Sequence, residues 1–216
     1  MRMGIRWIAL FLALAGCAKD DSARPQSKSI TAPEDQSDAA QRAQIDATLT
    51  KIEGLTSALG KPHTFRSVPI VVSTDTHYTD HPAACVALNR VPQFILVKPA
   101  VFEAEDRISP GGIDSTLFRV LLHEIGHCYF HREHEEEHIS QPGRLVQLTV
   151  KQRGVTGKVD LPFLDATVMV PENLSVPIVL EKYYVAEILG VTRAKTLQDL
   201  APYAPLKYVD ELADQP

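Results

Sequence analysis

VLLHEIGHCYFHREHEEEH, residues 120–138, decides how the rest of the chain is read. It carries His123, Glu124 and His127 in the order His-Glu-x-x-His, with His131, His134 and His138 close behind. Upstream, STLFRVLL (115–122) follows the breaker run SPGG (109–112). Leu117, Val120, Leu121 and Ile125 recur there at helical spacing, with Asp114 or Ser115 as the expected N-cap, so the motif is predicted on a helix. Side chains four residues apart share a helix face, so His123 and His127 can turn ring nitrogens toward one ion. Glu124 projects about 100° further round the helix, where a base can stand beside that ion. A run of solvent-facing histidines has no need of small Gly126 between them, so the spacing also predicts that this face is packed.

The chain has 216 residues, a net charge of −5 and no basic run, so no nucleic-acid partner is expected. Residues 1–16 hold two arginines, an apolar stretch from Trp7 to Ala15, and small residues before Cys17. That is the pattern of a signal peptide, too short to span a bilayer. Leu14-Ala-Gly-Cys17 resembles the lipobox of bacterial lipoproteins. The resemblance implies cleavage before Cys17 and acylation (palmitate among the chains) of the new N-terminus, giving a membrane anchor at Cys17. With Ala18 and Lys19 next, it implies the outer membrane, facing the periplasm or the cell surface. Residues 17–37, rich in Ser, Pro, Asp and Lys, read as a lipidated, flexible tether, and residues 38–216 as a single domain.

Within that domain, Ile45, Leu49, Ile52, Leu55 and Leu59 mark an N-terminal helix that packs by one face. Residues 65–73 and 93–97 are short, apolar and β-branched, hence strands. His77 and His81 fall between them in a polar loop ahead of Pro82. Residues 179–189 read as a helix ended by Gly190, and 198–212 as a further surface helix or an irregular tail. The fold class expected is α+β: a small mixed sheet over the metal-binding helix, with an additional N-terminal helix and C-terminal helices. Once Cys17 is acylated, Cys85 and Cys128 are the thiols that remain in an oxidising compartment. They are expected to form a disulfide from the loop before the second strand to the metal helix, the alternative being a buried free thiol at Cys128.

Two histidines leave a tetrahedral zinc one protein ligand short of a catalytic site. A continuing helix would put His131 near the same face, one turn further along the axis. A chain that turns back after Phe130 would bring His134 to the ion. The residues His123-Glu-Ile-Gly-His-Cys-Tyr-Phe-His-Arg-Glu-His134 resemble the metzincin class of zinc metallopeptidases, in which a turn after the helix precedes a third His. The resemblance implies Zn2+ held by His123, His127 and His134, with His131 and Glu133 as the other candidates for the third position. With no glycine at the turn, Phe130 or His131 must enter the left-handed region, at a cost of roughly 1 kcal/mol. Asp165-Ala-Thr-Val-Met-Val-Pro-Glu172 resembles the metzincin Met-turn, which implies Met169 as an apolar floor beneath the metal. Two lesser candidates are a downstream ligand at Glu181 or Glu187, and an oxyanion contact from Tyr183 or Tyr184.

The expectation that follows is a membrane-anchored zinc-dependent endopeptidase with Glu124 as catalytic base and a peptide or protein as substrate, bound by strand addition along 93–97. The rival is a non-catalytic zinc-binding or interaction lipoprotein. Retention of Glu124 speaks against it, because a structural site needs no base.

Overall fold

The computed structural model describes residues 30–103, 116–152, 155–170 and 178–210. The signal peptide, Cys17, most of the tether, and the N-cap candidates Asp114 and Ser115 lie outside the described residues. The fold is α+β, with small sheets around a buried helix.

Helix α1 (Ala39–Ala58) starts at Asp38, whose carboxylate accepts the Gln41 N–H while the Gln41 side chain accepts the Asp38 N–H. This reciprocal cap satisfies two of the helix's free donors. Ile45, Leu49 and Ile52 are buried along one face. Two residues of the segment read as tether, Asp35 and Gln36, contact the domain. Asp35 Oδ1 accepts the Val72 N–H and the Gln36 N–H donates to Val72 O, so this segment occupies an otherwise open strand edge.

The first sheet contains β1 (Ile70–Val72), β2 (Ala83–Leu88) and β3 (Val91–Val97) in the order β1-β3-β2. β1 runs parallel to β3 and β2 antiparallel to it, so the sheet is mixed as expected. Two expectations are corrected here. Residues 93–97 belong to the central strand, and 95–97 pair with β1 as well as with β2, so this stretch is not an edge. Cys85 lies in strand β2, which the alanine-rich AACVAL does not advertise. A tight turn joins β2 to β3, with Asn89 and Arg90 both at positive φ (51° and 66°), as a two-residue hairpin of right-handed twist requires.

Helix α2 (Thr116–Phe130) packs against β2 and β3 on one side and against α1 and α3 (Glu181–Ile188) on the other. It is buried continuously from Thr116 to Gly126, so its surroundings impose the helix on every side. A short ladder joins β4 (His138–Ile139) to β7 (Leu164–Asp165). A second three-stranded sheet, antiparallel throughout and ordered β6-β5-β8, consists of β5 (Arg144–Gln152), β6 (Val155–Leu161) and β8 (Leu206–Asp210). This sheet corrects the reading of 198–212 as surface helix or tail. After a one-turn helix α4 (Leu197–Leu200), capped by Thr196 and Asp199, the chain pairs with β5.

Between α2 and α3 lies Met169, fully buried. A Cβ on Gly126 would sit 2.5 Å from Met169 Sδ and 2.9 Å from Ile188 Cδ1. Both side chains are enclosed and have little room to withdraw. Gly126→Ala is therefore expected to destabilise the fold by about 1–3 kcal/mol through overpacking, despite alanine's higher helix propensity. A urea unfolding curve checks this, and an unchanged or raised midpoint would contradict the packing described.

Candidate metal centre

α2 presents His123 and His127 one helical turn apart, and His134 returns to meet them. The three Nε2 atoms form a nearly equilateral triangle: 3.1 Å between His123 and His127, 3.2 Å from His134 to each. Nitrogens bound at about 2.0–2.1 Å to one tetrahedral ion would stand about 3.3 Å apart, so the triangle has the dimensions of a metal's coordination face.

The outer nitrogens fix the tautomers. His123 Nδ1 donates to Val168 O at 2.8 Å and His127 Nδ1 to Arg132 O at 2.6 Å. A carbonyl only accepts, so each Nδ1 carries the proton and each Nε2 presents a lone pair. Burial favours the neutral rings, pushing the His123 pKa down to about 3 and lowering that of His127. Lone pairs aimed at one point repel each other unless a cation lies between them. These three histidines can hold a metal ion, and among the described residues the cluster contains no fourth ligand.

His134 arrives because the chain reverses at once after α2. His131 adopts φ 52°, the left-handed conformation that the missing glycine left to Phe130 or His131. The Arg132 N–H then bonds back to Gly126 O at 3.1 Å, and the Glu135 N–H reaches Met169 O at 3.1 Å. His131 and Glu133 face the surrounding cleft without joining the triangle.

Glu124 sits beside the ligands, nearly buried, and Oε2 accepts the Cys85 N–H at 2.6 Å. Burial raises its pKa to about 7, against the opposing pull of that hydrogen bond and of Arg119. Cys85 is also bonded to Cys128, one residue beyond His127. Glu124 and Cys128 are four apart, so one face of α2 is stapled to β2 at the point where β2 holds the carboxylate. The cleft, about 640 Å³, is lined by Ala83, Ala84 and Cys85 of β2 and by the three histidines and Glu124.

Other candidates lie elsewhere. Tyr183 and Tyr184 are buried and donate their hydroxyls to Ala166 O and Asp165 O, so neither takes the oxyanion role. Glu181 pairs with Lys51 and Glu187 with Arg132, away from the ligand cluster. His77 and His81 stay in a loop, His81 at the cleft wall. Glu135 and Glu137 are ion-paired with Arg193, and Glu135 also with Arg132. Sequence reasoning passed over Arg119, buried one turn before His123 and donating to Val168 O and Val170 O. Its signal was a charge four residues before a ligand on an otherwise apolar helix.

No family model, curated protein or solved structure matches this chain.

Two outcomes are expected. His131→Gly should retain metal binding and stay within about 1 kcal/mol of wild type, whereas His131→Val should cost about 1–2 kcal/mol, as read by chemical denaturation and by competition with a chromophoric chelator. Replacing Cys85 and Cys128 together by serine should cost about 2–4 kcal/mol, seen as a lower urea midpoint that reductant no longer shifts.

Proposed function

We propose that this chain is a zinc-dependent endopeptidase of metzincin-like type, anchored by lipid on Cys17 to the bacterial cell envelope with its domain outside the bilayer. The observation that carries the reading is the convergence of three histidine Nε2 atoms beside a buried carboxylate that is not one of the cluster. Structural zinc sites close with four protein groups, whereas catalytic ones use three and leave a position open. Imidazoles in a tetrahedral arrangement suit zinc among the divalent ions. Zinc held there would supply a Lewis acid that polarises water and the scissile carbonyl.

The remaining steps belong to the chain's own residues. Glu124, poised by burial near neutral pH, takes a proton from the water that attacks the amide carbon and returns it to the departing nitrogen, so that water and peptide become a carboxylic acid and an amine. The Cys85 N–H keeps the carboxylate aimed between strand and helix. His123 and His127 are held by their outer hydrogen bonds, which removes the freedom of their rings to turn away. Met169 fills the space beneath Gly126, the place a Met-turn would occupy. Among the described residues strand β2, rather than 93–97, is the end strand of its sheet beside the cleft, so an extended peptide would pair there by strand addition through the backbone groups that Glu124 does not occupy.

The test compares wild type with Glu124→Gln. Both should bind one zinc per chain, and the variant should hydrolyse an unstructured protein at least 10²-fold more slowly. If wild type binds zinc yet cleaves nothing, the peptidase reading fails and the non-catalytic zinc-binding reading takes its place; if Glu124→Gln cleaves as fast as wild type, the mechanism with Glu124 as base fails.

A further inference from the structure

The turn that delivers His134 is held from behind by a buried ion pair. Glu187, on α3, has its side chain 1 % exposed, and its Oε1 lies 2.6 Å from Arg132 Nη1. The same Nη1 donates to the Glu187 carbonyl at 3.3 Å, and Arg132 Nη2 donates to Glu135 Oε1 at 2.7 Å. The guanidinium thus bridges a helix that carries no ligand to the segment that carries the third one.

Arg132 has a second duty through its backbone. It directly follows the left-handed His131, its N–H bonds back to Gly126 O, and its carbonyl accepts the His127 Nδ1 proton. His134 lies two residues further on, and Glu135, gripped by the same guanidinium, sends its N–H to Met169 O. Moving Arg132 would therefore displace the acceptor that orients His127 and the segment that presents His134. Among the described residues, His123 is oriented by a group other than Arg132, the Val168 carbonyl. Thr167 and Val168 also face the Glu187 carboxylate, although Oε2 completes no hydrogen bond among the described residues.

We infer that Glu187 is a positioning residue of the metal centre, acting through Arg132 to fix the orientation of His127 and the placement of His134. The inference rests on the reading of the three histidines as ligands. A carboxylate on α3, absent from the site itself, sets how tightly and in what geometry an ion is held.

Glu181 is the internal control. It lies on the same helix, is also buried and also pairs with a cation, Lys51, but on the side facing α1. Zinc affinity is measured by chelator competition and ligand geometry by the visible spectrum of the Co2+-loaded protein. Glu187→Gln should weaken zinc binding about 10–100-fold and change the Co2+ spectrum. Glu181→Gln should lower thermal stability while leaving both metal readouts at wild-type values. Arg132→Met should reproduce the Glu187→Gln loss, and the double variant should be no worse than either single one, as expected when one residue acts through the other. If Glu187→Gln does not fold, Arg132→Lys, which keeps the charge but loses the forked bridge, is read by the same two measurements. Wild-type affinity and spectrum in Glu187→Gln, or additive losses in the double variant, would overturn the inference while leaving the metal centre standing. A wild-type chain that binds neither Zn2+ nor Co2+ would overturn both.

Discussion

With no Cβ at Gly126, Met169 and Ile188 can close directly onto the backbone of α2, and this approach draws three distant parts of the chain together. A methionine thioether bends to fill irregular space, so it can follow the helix surface where a branched residue could not. The Met169 turn then lies close enough for the Val168 carbonyl to reach His123 and for the Met169 carbonyl to reach the Glu135 N–H. A larger residue at position 126 would push the turn away and lengthen both bonds. The packing beneath the helix and the hydrogen bonding around the ligands are therefore one constraint.

Above the helix, β2 carries a corresponding burden. Its Cys85 supplies both the N–H that holds Glu124 and the sulfur that bonds Cys128. The covalent link limits how far strand and helix can separate, which protects a hydrogen bond to a carboxylate that burial would otherwise tend to neutralise. The histidine cluster and Glu124 are thus supported from opposite sides of one helix, His123 and His127 by carbonyls from below and the glutamate by an amide from above. Both supports rely on backbone groups, whose positions change only if whole segments move.

The charged residues follow the same logic. Arg119, Arg132 and Arg193 each reach across to a different segment: Arg119 to the carbonyls of 168 and 170, Arg132 to α3, and Arg193 to Glu135 and Glu137. The buried Arg132–Glu187 pair adds little net stability, because desolvation offsets attraction, but breaking one partner is costly and the geometry it favours is specific. The benefit here is a defined path for a chain that has just left a helix through a left-handed residue.

The sequence by itself determined what depends on neighbours along the chain. Spacing of four placed His123 and His127 on one face, the apolar period placed α1 and α2, and Gly126 announced a close contact without naming it. Having few thiols to choose from favoured pairing Cys85 with Cys128 but left a free thiol at Cys128 open, and the approach of β2 to α2 decided for the bond. The strands within 144–161 were not legible in the sequence, because short strands of mixed polarity become so only once a partner is known. Only the tertiary structure decided that His134 is the third member of the cluster, because that depends on His131 accepting positive φ and on Arg132 finding Glu187. Likewise it decided that, among the described residues, β3 is central and β2 at the end of its sheet, and that 206–210 joins β5. These outcomes are contacts between residues far apart in the chain. They depend on the shape of surfaces that no local pattern encodes.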